Sequence, residues 1–140
     1  MSLWEKWKMA FDDRIPIYRQ IVLQFNRAYV RGDLRPGDRI PSIREISANL
    51  QVNTNTMQRV YQEMERSGLV SSKRGTGYFI TEEKNMITDI RRNLASSSLE
   101  RFAEEMRALG CDHREIMDEL EKYLASTAGN NAVSATEGEN

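Results

Sequence analysis

Between Ser42 and Gly68 the chain writes two short amphipathic segments, SIREISANL and TNTMQRVYQEMERS, with only Gln51-Val52-Asn53 between them. Ser42-Ile43-Arg44-Glu45 is a capping box, in which the Ser42 hydroxyl accepts the Glu45 N–H and Glu45 reaches back. Ile43, Ile46 and Leu50 then fall on one helical face. Asn53 suits the next N-cap, because its side-chain oxygen can take an orphan N–H. Met57, Val60, Tyr61 and Met64 recur at three- and four-residue steps, and Gly68 ends the run. Two short helices joined by so tight a link form a helix-turn-helix.

The flanks extend this into a domain. Pro16 stands at the first turn of an earlier helix, where its missing N–H costs nothing. Tyr18, Ile21, Val22, Phe25, Ala28 and Tyr29 give that helix one apolar stripe, and Gly32 terminates it. GDLRPGDRIP turns at Pro36-Gly37. After Gly68 the period shortens. Leu69–Lys73 and Tyr78–Thr81 read as strands joined by Arg74-Gly75-Thr76-Gly77, whose glycines accept positive φ. A hairpin directly behind a helix-turn-helix makes a winged helix. The expected fold is mainly α with a small β-hairpin wing, the winged helix-turn-helix occupying residues 1–81. Trp4, Trp7 and Phe11 are expected to pack an N-terminal arm on the first long helix.

Residues 82–85 read as a hinge, and residues 82–124 as a two-helix region. Its first helix carries Ile87, Ile90, Leu94, Leu99, Phe102, Met106 and Leu109, with a kink or break expected at Ser96-Ser97-Ser98. Gly110 ends it. Asp112-x-x-Glu115 opens the second, with Ile116, Met117, Leu120, Tyr123 and Leu124. Residues 125–140 are small, polar and aperiodic, and are expected to be disordered. Helices this short need a partner for their apolar faces, and the simplest partner is a second copy of the chain. Ile87, Ile90, Leu94, Phe102, Met106, Ile116, Leu120 and Leu124 are the expected dimerisation positions. The competing expectation folds this region back on its own winged helix. A small-molecule effector would need a site formed between subunits, since two such helices close no pocket alone.

Charge divides along the chain. Residues 1–80 hold 13 Lys/Arg against 8 Asp/Glu, and residues 81–140 hold 7 against 13. A basic front half suits a polyanion. The N-terminus has no apolar core of a secretory signal, and no apolar run approaches the ~20 residues that span a bilayer. The single cysteine, Cys111, forms no internal disulfide, so a cytoplasmic protein is expected. Catalysis finds no support: the only histidine, His113, lies two residues from that cysteine, and RGTG lacks the spacing of a phosphate loop. Cys111, Asp112, His113 and Glu115 form too sparse a set for a metal site or a metal- or thiol-responsive switch, and Asp112 has a better use as an N-cap. No cofactor is expected.

The crowding of Asn53, Thr54, Asn55 and Thr56 at a helix start has no basis in helix propensity. It has one in DNA binding. Short polar side chains leave backbone N–H groups open to an anion, and the second helix of the motif touches bases with its first residues. Thr54, Asn55, Gln58 and Arg59 project away from the Met57–Val60–Met64 face; Asn and Gln pair with adenine, Arg with guanine. A winged helix used only for protein contacts is the rival reading, and it needs neither a donor-rich turn nor a basic wing.

IPIYRQI, GDLRPGDRIPSIREISANLQVNTNTMQRVYQEMERSGLV and SSKRGTGYFI together resemble the winged helix of GntR-family bacterial transcriptional regulators. NTNT, the RGTG wing and the short tail resemble its YtrA-type subgroup. The resemblance implies a repressor of operons that often encode ABC transporters. It implies that Arg44 grips DNA, with Ser42 and its helix start near phosphate. It places Asn53, Thr54, Asn55, Thr56 and Gln58 at recognition positions, and Arg74 and Gly75 at a wing tip that enters the minor groove, flanked by Lys73 and Thr76. Many members have Arg where this chain has Thr54 and Gln58, so their base preference does not transfer; Arg59 substitutes in part.

Overall fold

The computed structural model describes residues 3–137, and side chains as far as residue 128. These fall into two compact units, Met1–Asn93 and Leu94–Asn140. The first contains α1 (Leu3–Lys6), α2 (Ile17–Arg31), β1 (Arg39–Ile40), α3 (Ile43–Leu50), α4 (Thr54–Ser67), β2 (Val70–Lys73) and β3 (Gly77–Ile80). The strands form one antiparallel sheet in the order β1-β3-β2. Ser72 lies opposite Tyr78 and Lys73 opposite Gly77, while on the other edge Arg39 pairs with Phe79.

In the first unit the apolar stripes of α2, α3 and α4 are buried or half-buried. Ile21, Phe25, Ala28 and Tyr29 of α2 meet Ile46 of α3 and Met57, Val60, Tyr61 and Met64 of α4, and Leu69, Val70 and Ile80 close the core from the sheet side. Aromatic rings thread this core. Phe25 meets Trp7 edge-on at 4.9 Å and Trp4 at 5.5 Å, and Tyr61 touches Phe25 at 6.2 Å and Tyr78 at 4.8 Å. The arm packs on α2 as expected. Gln20 ties it down: its side-chain amide donates to the carbonyls of Asp12 and Ile15 and accepts the Asp12 N–H, all at 2.9 Å.

Each boundary has a local cause. Gly32 and Gly68 end α2 and α4 in the left-handed conformation. Pro36-Gly37 turns as read: Asp38 N–H donates to the Arg35 carbonyl at 3.0 Å, with Gly37 at φ +82°. That turn carries the chain into β1, a strand where the sequence pattern shows only a turn. A strand of two residues has no period of its own; it exists through its pairing with Phe79 and Tyr78.

α5 (Met86–Ala108) and α6 (His113–Glu137) follow. α5 runs unbroken through Ser96-Ser97-Ser98, where a kink or break was expected. Serine costs a helix only a few tenths of a kcal/mol each, roughly, and propagating a formed helix is cheap. The backbone of α6 continues past Leu124 to Glu137, beyond the point where the apolar pattern stops; alanines at 125, 128, 132 and 135 favour this. Residues 138–140 lie outside the described residues.

The first unit also reaches further than residue 81. Met86, Ile87 and Ile90 pack on its core, and the Met86 methyl abuts Gly68. Ile87 and Ile90, expected on the self-association face, are half-buried against this domain. Periodicity announced an apolar stripe without naming what it covers.

Tyr61 joins packing to polar chemistry. Its buried hydroxyl donates to the Pro41 carbonyl, fixing α4 beneath the chain that enters α3. Burial, reinforced by the nearby Tyr78 and Glu45, pushes its pKa well above the usual phenol value. A phenol held neutral in the folded state contributes stability below its unfolded pKa of about 10, which is lost as pH rises beyond that. Tyr61→Phe is expected to cost about 1 kcal/mol at neutral pH and to flatten the alkaline decline. Urea unfolding at neutral pH and above pH ~10 checks both.

Candidate nucleic-acid interface

α4 divides its residues cleanly. Met57, Val60, Tyr61 and Met64 face inward, while Thr54, Asn55, Gln58 and Arg59 are exposed and Thr56 is half-buried. Asn53 caps the helix, its Oδ1 accepting the Asn55 N–H at 2.8 Å. That uses its oxygen and leaves its amide nitrogen as a donor. The remaining N–H groups of the first turn, with the helix dipole, favour an anion at this end.

The turn before it is tight. Gln51 adopts the left-handed conformation at φ +54°, the only non-glycine to do so among the described residues, and the Val52 N–H donates to the Ser47 carbonyl at 3.1 Å. This geometry swings the chain from α3 into α4 within the three residues seen in the sequence. Ser42 caps α3 through a 3.2 Å bond from the Glu45 N–H. Glu45 itself lines a shallow groove with Trp4, Arg39, Ser42 and Asn49. Arg44 is exposed beside it on α3.

The wing presents Arg74, Gly75 and Thr76 at its tip, all exposed. The Thr76 N–H and hydroxyl both donate to the Lys73 carbonyl, at 2.9 and 3.0 Å, closing the loop over Gly75 at φ +80°. Gly77, at φ +119°, also meets a steric demand: a Cβ there would lie 3.2 Å from Arg39 Nε. Lys73 is steadied over the Phe79 ring at 4.8 Å. α3 packs on α4 and α4 on β2, so one framework carries Ser42, Arg44, the α4 start and the wing.

Two exposed arginines escaped the sequence reading. Arg39 lies along the wing at Gly77, and Arg19 stands on α2 beside Tyr18. Both sit outside the motif whose spacing guided that reading; only the cross-strand partner and the ring contact reveal them. Arg59 sits differently from its neighbours on α4, with its guanidinium stacked 3.8 Å above the Tyr18 ring.

In the second unit Leu94, Phe102, Met106, Ile116 and Leu120 are half-buried, and Leu124 is exposed. Asp112 and Glu115 cap each other, at 2.9 and 3.2 Å. Among the described residues no three His, Cys, Asp or Glu side chains gather as metal ligands, and no helix is long and apolar enough to cross a membrane.

Known proteins share this arrangement. The sequence model of "Bacterial regulatory proteins, gntR family" matches residues 17–80, from the start of α2 to the end of the wing. A Bacillus subtilis protein, "Uncharacterized HTH-type transcriptional regulator YhcF", is 39% identical over 113 residues, covering 81% of this chain and 93% of that one. The "HTH-type transcriptional repressor YtrA" of the same organism is 33% identical over 76% of this chain and 78% of its own length. A solved structure, "GntR family transcriptional regulator from Listeria monocytogenes", superposes with a TM-score of 0.73 at 38% identity, covering 80% of this chain and 98% of that one. A donor-rich helix start, a basic wing and relatives that match beyond the winged helix lead to one conclusion: this chain belongs to the gntR family, as a DNA-binding transcriptional regulator similar to the YtrA type.

Proposed function

We propose that the chain acts in the cytoplasm as a homodimeric repressor of a palindromic operator, with α4 reading base edges and the wing holding the backbone beside them. The observation that carries this reading is the exposure of Thr54, Asn55 and Gln58 directly above a fully buried stripe on the same helix. Those side chains have no partner within the fold to explain their type, and their chemistry matches base edges. Ser42, Arg44, Lys73 and Arg74 supply phosphate contacts around them, and Gly75 and Thr76 shape the tip.

Support for self-association comes from the second unit. α5 buries no residue, and Leu99, Leu109 and Tyr123 are 61%, 78% and 65% exposed. Apolar side chains so open call for a cover. A second copy supplies one and sets two α4 helices against two half-sites, about 34 Å apart or a multiple of it. Likeness to a repressor named YtrA supports repression. The resemblance of NTNT, the RGTG wing and the short tail to the YtrA-type subgroup points this proposal to an operon that encodes an ABC transporter; a small-molecule effector would bind between the paired subunits.

Fluorescence anisotropy with labelled duplexes over a salt series tests the reading. Affinity is expected to fall steeply as salt rises, through counterion release. Arg74→Ala should weaken binding to every sequence and flatten the log–log slope by about one. An unchanged slope would remove the wing from the interface. Absence of binding at any salt would instead favour a protein-contact module.

A further inference from the structure

Tyr18, on the first turn of α2, is the meeting point of two cations. The Arg59 guanidinium lies 3.8 Å above its ring, and the Arg19 guanidinium lies 6.0 Å from the ring centroid while its Nε donates to the Tyr18 hydroxyl at 3.2 Å. Neither arginine has a carboxylate partner among the described ion pairs. Glu63, one turn after Arg59 on the same face, is the natural candidate. It pairs with Arg66 instead. Tyr18, Arg19, Glu63 and Arg66 line one shallow groove between α2 and α4. The groove thus holds one satisfied ion pair and the Arg19 guanidinium, while Arg59 lies against the face of the same Tyr18 ring. Two guanidiniums gathered on one ring add their positive potentials there, which favours an anion beside them.

We propose that Tyr18 is a positioning residue for DNA binding: its ring turns Arg59 away from the base edges and pairs it with Arg19 as a clamp for one backbone phosphate. Asn55 and Gln58 are left to read sequence, and Arg59 supplies affinity that every sequence shares. This rests on the DNA reading of α4 above.

The test uses the full chain with Tyr18→Leu, Tyr18→Phe, Arg59→Ala and the Tyr18→Leu/Arg59→Ala double variant. Proton NMR of the free protein reads the stack without DNA. The Arg59 side-chain protons should be shifted upfield in the wild type and in Tyr18→Phe, and return to ordinary positions in Tyr18→Leu. Anisotropy then compares a selected operator with a random duplex. Arg59→Ala should weaken both by the same factor, and the double-variant cycle with Tyr18→Leu should show a coupling of about two- to fivefold. Strictly additive losses, or a loss on the operator alone, would overturn the proposal. Wild-type DNA binding without the upfield shift overturns the positioning role while the DNA reading stands. An upfield shift with no binding to either duplex overturns the DNA reading and the clamp with it.

Discussion

Phe25→Ala is expected to remove about 3–5 kcal/mol of stability, the usual cost of truncating a buried aromatic ring. The ring is wholly buried and touches Trp4, Trp7 and Tyr61, so its loss opens a void where the arm, α2 and α4 meet. A domain of this size has about 5–15 kcal/mol in total, so the variant sits near the threshold of folding. Both tryptophans of the chain lie against the deleted ring. Urea unfolding followed by tryptophan emission therefore reports the midpoint and the local environment together. Phe25→Leu keeps most of the volume and should cost clearly less. Equal losses from the two would mean that the ring's edge-on contacts, not the void, set the energy.

A chain stopped after Asn93 is expected to fold, sediment as a monomer and bind the whole operator about 100- to 10,000-fold more weakly than the full protein, while keeping its affinity for a single half-site. The cut is chosen from the packing: every buried core residue, with Met86, Ile87 and Ile90 that cover the core, lies before it. What it deletes is the second unit with its exposed Leu99, Leu109, Met117, Tyr123 and Leu124. Loss of the second contact turns an effectively intramolecular event back into two independent ones, which gives the size of the effect. Leu120→Asp with Leu124→Asp in the full chain should behave alike, by burying charge at the proposed contact. A truncated chain that still sediments as a dimer would move self-association into the winged helix.

Much of the DNA-binding domain was legible because its elements announce themselves locally. Ser42, Asn53 and Gly68 mark helix ends by side-chain and backbone chemistry that acts within three residues, and the structure uses each of them as a cap. The glycines of the wing are legible for the same reason. What escaped depends on distant parts of the chain. β1 exists only through β3, and α1 has four residues and no pattern. Ile87 and Ile90 had the correct period, but their packing against the winged helix was not legible, since a stripe does not name the surface it meets. Arg59 was visible as an exposed arginine on a recognition helix, but its attachment to Tyr18 joins positions forty-one apart that no spacing rule connects.

The central claim is that the first turn of α4 reads base edges. It is tested most directly by measuring Asn55→Ala and Gln58→Ala on a selected operator, on its single-base variants and on random duplex. Each substitution is predicted to cost about 1–3 kcal/mol on the operator, to abolish discrimination at one base step, and to leave random duplex almost unaffected. Equal losses on operator and random duplex would contradict the account, leaving these side chains as backbone contacts.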